Sequence, residues 1–418
     1  MTERLTVDVA VVGAGPGGLA AAAEAAGQGR RVLVLDEGLR PGGQIWRPGP
    51  DRPPAAARAL LAEVDRAGVQ VRSGAPVFDG WRSDDRWRLA AAAPGGRLEV
   101  EAEALVLACG ARERFLPFPG WTLPGVLGAG GGQALLKEGL DLAGATVLVA
   151  GSGPLLLPAA AAVRRHRGRL AAILEQAPWS QVLGMAPLLA TRPAKAVQAL
   201  GLARATLGVP YRPGWWVVEA CGAERLEAVR ISDGRRELRL PCRWLFCGYG
   251  LVPNLELGRW LGCALADHVL AVDGAQRTSL DRVFAAGEVC GVAGVDAALA
   301  EGRIAGLAAA GAWDPESARG RRLAAARTRA RDLFALRPEL RALPRPDTVV
   351  CRCEDVPLGA VDPAWGAREA KLCARTGMGP CQGRVCGPIL AWHFGHGPDR
   401  VRAPLKAVTV ADLASYRD

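Results

Sequence analysis

The sequence predicts an α/β protein with two Rossmann-like nucleotide units and a small C-terminal domain gathered on cysteines. An apolar strand, a glycine turn, a helix and a second strand ending in an acid occur twice, at the N-terminus and near mid-chain. Two close cysteine pairs follow near the C-terminus. At 418 residues the chain is too long for one core, and its 50% hydrophobic content suffices for two or three.

Residues 6–12, TVDVAVV, read as a buried parallel strand. Gly13-Ala14-Gly15-Pro16-Gly17-Gly18 then forms the turn, an alanine-rich helix follows from Leu19 to Ala26, and Val32 to Leu35 ends at Asp36. Gly13 permits the tight turn, Gly15 lets backbone approach a pyrophosphate, and Gly18 lets the helix pack closely on the strand. The helix N-terminus, just after Pro16 and Gly17 of the turn, offers unpaired N–H groups to phosphates. Asp36, 23 positions after Gly13, stands where a carboxylate accepts from a ribose hydroxyl, with Glu37 beside it.

Three later segments resemble those that enclose FAD in flavoproteins. They are Pro41-Gly42-Gly43-Gln44, then Leu105 to Ala111 with Ala108 and Gly110, then Val283 to Glu288 with Gly287 and Glu288. Glu288 stands where aspartate is more usual in the ribityl-binding motif, one methylene longer.

The second unit runs from the strand Thr146–Ala150 through Gly151-Ser152-Gly153-Pro154-Leu155-Leu156 to the strand Leu170–Leu174 and Glu175. Gly151, Gly153 and Glu175 are candidate contacts for NAD(P) or another adenine nucleotide. Leu156, however, occupies the place of Gly18. A leucine there should push the helix off the strand and widen the phosphate turn. A retained fold with an altered site is the alternative.

The cysteine pairs are Cys351-x-Cys353 and Cys381-x4-Cys386, with 27 residues between them. Pairs on two loops can wrap a small binuclear iron–sulfur cluster, and glycines around Cys381 free N–H groups to face sulfur. Zinc is the rival, although C-x-C is unusual spacing for it. Cys242 and Cys247 also stand in a C-x4-C, but with Trp244-Leu245-Phe246 between them they read as core. Cys373 also reads as packing.

Residues 351–355 (CRCED), Lys371 and residues 376–388 (TGMGPCQGRVCGP) resemble the bacterioferritin-associated-ferredoxin-like [2Fe–2S] domain in its flavoprotein-fused form. That fusion occurs in the flavoprotein subunits of opine oxidase, hydrogen cyanide synthase and D-hydroxyproline dehydrogenase. Residues 41–47, 110–121 and 287–294 match the same family. The resemblance implies a two-dinucleotide-binding-domain flavoprotein with a small C-terminal [2Fe–2S] domain. Its parts would be an FAD domain at 1–120 and 266–314, an inserted NAD(P)-like domain at 121–265, a helical linker at 315–346 and the cluster domain at 347–418. Cys351, Cys353, Cys381 and Cys386 would be the ligands. The implied role is electron transfer beside an FAD-dependent amine-oxidising β subunit, the further partner being a small ferredoxin-like subunit. The substrate would be of the D-hydroxyproline, opine or glycine class. The implied location is the cytoplasm, with peripheral attachment to the inner membrane left open. A stand-alone NAD(P)H-dependent ferredoxin-type reductase and a non-catalytic scaffold with vestigial sites are the alternatives.

The net charge of +10 is spread as arginines interleaved with acids, which argues against nucleic acid. The 11 cysteines, an odd number without a signal peptide, suit a reducing compartment. The uncharged stretches Phe115–Leu136 and Leu142–Val163 are broken by proline and glycine, so no transmembrane segment is expected. No Ser/His/Asp set and no amine-binding set is visible. His393 and His396 read as ordinary helix-end histidines, and Tyr249 reads as packing.

Overall fold

The computed structural model describes residues 2–47, 53–185, 193–326, 334–397 and 400–413. They form two compact units, each assembled from separate stretches of chain. The first takes residues 1–112, 252–329 and 400–418; the second takes 113–251 and 330–399.

The first unit is built on the N-terminal apolar run. Strand β1 (Thr2–Val12), helix α1 (Pro16–Gly27), strand β2 (Val32–Leu35), helix α2 (Ala55–Arg66) and strands β3 (Gln70–Arg72), β4 (Val77–Ser83), β5 (Arg86–Ala93) and β6 (Gly96–Leu107) follow in order. The sheet order is β3-β2-β1-β6-β5-β4, and the later strand Val283–Ala285 pairs with β6. β1 runs parallel to β2 and β6, with Val9 opposite both Val32 and Ala104. These central strands are buried on both faces, which is why they are nearly continuous in valine, leucine and alanine. β4 and β5 turn back antiparallel onto β6.

Helix α1 packs on the later helix Val295–Ala309. A Cβ at Gly302 or Gly306 would lie 2.1 or 2.2 Å from the carbonyl oxygens of Gly17 and Ala21. Small residues on both helices therefore allow backbone contact that holds the glycine turn from behind.

The second unit contains strand β7 (Val126–Gly128), helix α3 (Ala129–Lys137), strand β8 (Thr146–Gly151), helix α4 (Leu156–Arg165) and strands β9 (Arg169–Glu175), β10 (Tyr211–Pro213), β11 (Trp216–Cys221), β12 (Ala228–Ser232), β13 (Glu237–Pro241) and β14 (Trp244–Gly248). Its sheet order is β10-β9-β8-β14-β7, all parallel, with β11-β12-β13 as a separate antiparallel sheet. The cysteine-bearing segment adds strands β15 (Val349–Cys351) and β16 (Val356–Pro357) and helices α5 (Ala367–Ala374) and α6 (Cys386–Phe394).

That segment does not stand apart. Val350, Cys351, Cys386, Ile389 and Leu390 share one hydrophobic core with Leu148, Leu174, Val217, Val229 and Leu245. The Trp121 indole N–H donates to the Val349 carbonyl at 2.7 Å. The grouping thus differs from the expected 347–418 domain: 330–399 fold with the inserted Rossmann unit, and 400–418 with the first unit. Of the expected linker, the helix Ala318–Ala326 is described, and residues 327–333 lie outside the described residues.

Candidate functional site

At the end of β1, Gly13 has φ +109°, and a Cβ there would meet the Ala108 carbonyl oxygen at 2.2 Å, so only glycine fits. Gly15 precedes α1 with φ −75° and ψ 179°, and no heavy atom lies within 4 Å of where its Cβ would be. Pro16 opens the helix, and no side chain caps it. The orphan N–H groups of the first turn thus border open space, as an anion site requires. A Cβ on Gly18 would sit 1.8 Å from the Gly13 carbonyl oxygen. Gly17 packs toward Ala298 instead.

Asp36 turns back over this turn. Its Oδ2 accepts from Ala14 N at 2.5 Å and its Oδ1 from Gly38 N at 2.7 Å. Burial pushes its carboxyl above the usual range, against the pull of those two N–H groups. Glu37 follows, paired with Lys406 at 2.5 Å. The 41–47 loop folds down on the turn: Gly42 N donates to Ala14 O at 2.8 Å, and Gly43, at φ +59°, would place a Cβ 2.9 Å from Gly15 Cα. Gln44 is exposed and accepts from Arg47 at 3.0 Å.

Ala108 is buried at the end of β6, and Gly110 follows with φ +67°. Gly287, φ +79°, donates its N–H to Glu301 Oε2 at 2.8 Å. Glu288 is half-buried, and that burial raises its carboxyl. The structure therefore brings the turn, Asp36, Gly43, Ala108 and Gly287 to the carboxyl ends of neighbouring strands, where α/β sheets bind ligands.

In the second unit, α1's counterpart starts late. α1 begins at Pro16, three positions after Gly13; α4 begins at Leu156, five after Gly151. Leu156 is buried where Gly18 would stand. Glu175 is 1% exposed, with its oxygens accepting from Gly153 N at 2.7 Å and Ala177 N at 2.9 Å. Burial pushes its carboxyl up to about 7.

Sequence reasoning missed what covers this turn. The Phe334 ring lies 3.5 Å from a Cβ placed on Gly153, and the Ser152 hydroxyl donates to Phe334 O at 3.0 Å. Gln176 Nε2 donates to Ala335 O at 3.1 Å and its Oε1 accepts from Arg337 N at 3.1 Å. The Arg337 guanidinium stacks on Trp216 at 4.3 Å. Residues 334–337 thus lie across the Gly151–Gly153 turn as a strap. Only the polar Ser152-Gly153 and Glu175-Gln176 steps hinted that the turn had a peptide to bind.

The four candidate cysteine ligands converge. The thiols of Cys353 and Cys381 hydrogen-bond each other, as do those of Cys351 and Cys386. The N–H groups of Val385, Gly383 and Arg384 point at the Cys381 sulfur, and that of Gly377 at Cys386. Burial would raise the Cys381 thiol, yet those donors and Cys353 hold it below its ordinary range. Burial pushes Cys386 up to about 12. Gly379 has to be glycine, because a Cβ there would lie 2.2 Å from Cys353 Cβ. Cys373 is exposed on α5, not packed as expected. Among the described residues no three His, Cys, Asp or Glu side chains close around a single metal-ion position. The thiols come as two pairs. No described helix is long and apolar enough to cross a membrane.

A dinucleotide turn of this form, with its acid and its late Gly-Glu motif, defines a flavin-dependent oxidoreductase of Rossmann architecture. Residues 7–304 match the pyridine nucleotide-disulphide oxidoreductases, and the chain belongs to that family. It is 32% identical to an opine oxidase subunit of Agrobacterium tumefaciens (strain Ach5), over 97% of this chain and 91% of that one. It is 33% identical to hydrogen cyanide synthase subunit HcnB of Pseudomonas aeruginosa, over 94% and 92%. Among solved structures, L-proline dehydrogenase from P. horikoshii shares the fold with a TM-score of 0.74 at 19% identity, over 99% of this chain and 80% of that one. Thioredoxin reductase of T. acidophilum matches with a TM-score of 0.58 at 21% identity, over 73% and 98%. The protein is an oxidoreductase and a flavoprotein.

Proposed function

We propose that this chain is the electron-transfer subunit of a heteromeric amino- or imino-acid dehydrogenase or oxidase, carrying FAD and a [2Fe–2S] cluster. Gly13, Gly15, Pro16, Gly17, Gly18, Asp36, Gly43, Gln44, Ala108, Gly110, Gly287 and Glu288 would hold the FAD, with Glu37 beside Asp36 at the rim of the site. Cys351, Cys353, Cys381 and Cys386 would hold the cluster. The flavin accepts two electrons and releases them singly; the cluster carries one at a time, so the pair joins a two-electron oxidation to a one-electron acceptor.

The observation that carries this reading is the convergence of the four thiols as two pairs. A binuclear cluster asks for two thiolates at each iron, whereas zinc asks for ligands around one point. The relatives supply the wider setting, because each is named as a subunit of a larger enzyme. The partner would be an amine-oxidising β subunit, with a small ferredoxin-like subunit beside it, and the substrate a D-hydroxyproline, an opine or glycine. Peripheral attachment to the inner membrane belongs to the same reading. The test is iron and sulfide content with the EPR spectrum of reduced, anaerobically purified protein. Equal iron and sulfide at two per chain supports the reading; zinc in their place overturns it.

The NAD(P)H-dependent reductase is disfavoured by the strap, since residues 334–337 lie where a dinucleotide would enter the second turn. The acid is retained in Glu175, but at 1% exposure it is buried more deeply than the half-buried Asp36.

A further inference from the structure

We propose that Lys406, from the C-terminal tail, is a positioning residue of the flavin site: it neutralises Glu37 so that the anionic pyrophosphate of FAD can lie beside the Asp36–Glu37 pair. The proposal rests on the FAD reading of the first unit and adds a residue some 390 positions from the glycine turn.

The tail is fixed in the first unit. Leu405 N donates to Phe78 O at 2.7 Å, and the Leu405 side chain is buried in the core that contains Leu35, Leu107 and Val283. Val401 packs against the same core. This anchoring delivers the next residue to the end of β2, where the Lys406 ammonium meets Glu37 Oε2 at 2.5 Å. The Lys406 side chain is 32% exposed and that of Glu37 is 56% exposed, so the pair faces solvent at the edge of the site.

The ammonium is felt on both sides of the turn. Glu37 raises the Asp36 carboxyl and Lys406 opposes it. Beyond burial, Lys406 is also the foremost influence on the thiol of Cys109, which follows β6 on the other side of β1. The ion pair with Glu37 holds this charge at the carboxyl end of β2, beside Asp36, whose carboxylate closes the Gly13–Gly15 turn.

The need for it is electrostatic. A dianionic pyrophosphate at this turn meets two consecutive carboxylates. The N-terminus of α1 offers the equivalent of about half a positive charge, which does not offset both. Asp36 is already engaged by Ala14 N and Gly38 N. Glu37 has no backbone donor among its described contacts, so its charge falls to Lys406. Glu37 is then a charge partner of the tail and not itself a ligand of the flavin.

The experiment is a charge cycle read as FAD affinity, by flavin fluorescence on deflavinated full-length protein. The proteins are wild type, Lys406→Gln, Glu37→Gln and the double variant, at low and high salt. Lys406→Gln should weaken FAD about tenfold at low salt and less at high salt. The double variant should return to within about threefold of wild type, because removing both charges restores the balance. An unchanged affinity in Lys406→Gln overturns the proposal. So does a double variant as weak as the single, which would make Lys406 a mechanical latch. Hydrogen exchange of residues 400–407 checks that the tail stays anchored in Lys406→Gln, and its release would likewise assign the effect to lost anchoring. Failure of the site reading is separable: a wild type that takes no FAD, or a Gly15→Val that binds FAD as wild type does, indicts the turn and not Lys406.

Discussion

Gly15→Val separates the ligand from the fold. Residue 15 sits at φ −75° and ψ 179°, backbone that valine adopts freely, and nothing in the protein lies within 4 Å of its Cβ position. The folded chain should therefore accept the branched side chain. Removing a glycine also reduces the freedom of the unfolded chain, so stability should hold or rise by about 0.4–1 kcal/mol. The valine methyls instead fill the space before the helix N-terminus. Excluding the pyrophosphate from two or three charge-assisted N–H bonds, each about 1.5–3 kcal/mol, loses on the order of 4 kcal/mol. That is about a thousandfold in Kd. Gly18→Ala is the contrast, because its methyl would lie 1.8 Å from the Gly13 carbonyl oxygen and 3.2 Å from Ala108 Cβ. It should destabilise the protein itself by about 1–3 kcal/mol. The assay is the flavin absorbance of purified protein, FAD titration of the deflavinated chain, and thermal unfolding of both variants without flavin. A Gly15→Val protein that retains flavin refutes the reasoning, and so does one that loses it only by unfolding.

Replacing Cys351, Cys353, Cys381 or Cys386 by alanine should abolish the reduced EPR signal and the bound iron and sulfide. Cys373→Ala, on the exposed face of α5, should keep both. NADH or NADPH mixed with the protein in a stopped-flow cell should bleach the flavin slowly or not at all, and rapid bleaching by either would restore the reductase reading. The isolated chain should not oxidise D-hydroxyproline, D-proline, opines or glycine, because the proposed function assigns the amine-oxidising set to a partner; turnover by the pure chain contradicts that division. Glu175 titrates near 7 when folded and near 4.5 when unfolded, so the native state holds the proton more tightly. Its stabilising effect is whole below about pH 4.5 and is lost as pH rises to about 7, a fall of about 3 kcal/mol. Urea unfolding at pH 5 and pH 8 should show most of that fall in wild type and its absence in Glu175→Gln; equal pH dependence in the two sinks the assignment.

The first nucleotide turn was legible because each glycine answers a local constraint: the carbonyl of Ala108 against Gly13, that of Gly13 against Gly18. Spacing encodes such short-range geometry. Leu156 was read against the same constraint, as a side chain at the position Gly18 holds in the first unit. The strap was not, since Phe334 and Arg337 read as ordinary linker residues and their partners Gly153, Gln176 and Trp216 lie far away in sequence. Lys406 was hidden likewise, for ion pairs between distant segments leave no period in a sequence. The shared core of the cysteine segment escaped notice because Val350, Ile389 and Leu390 look sufficient for a small domain of their own. Cys373 was misjudged, since residue type predicts burial only on average.

The interleaving of the two units sets an order on biosynthesis. The first unit needs residues up to the Leu405 region and the second needs residues up to 399. As the chain leaves the ribosome, β1 to β6 emerge with their glycine turn but without Val283–Ala285, the helix Val295–Ala309 or the tail. The inserted sheet emerges next, its core still open to the residues around Cys351 and Cys386. Neither core can close until the residues around Cys386 and Leu405 have emerged. A nascent chain of this protein therefore carries two incomplete apolar faces until those residues appear, and a stop codon upstream of Cys386 damages both halves at once.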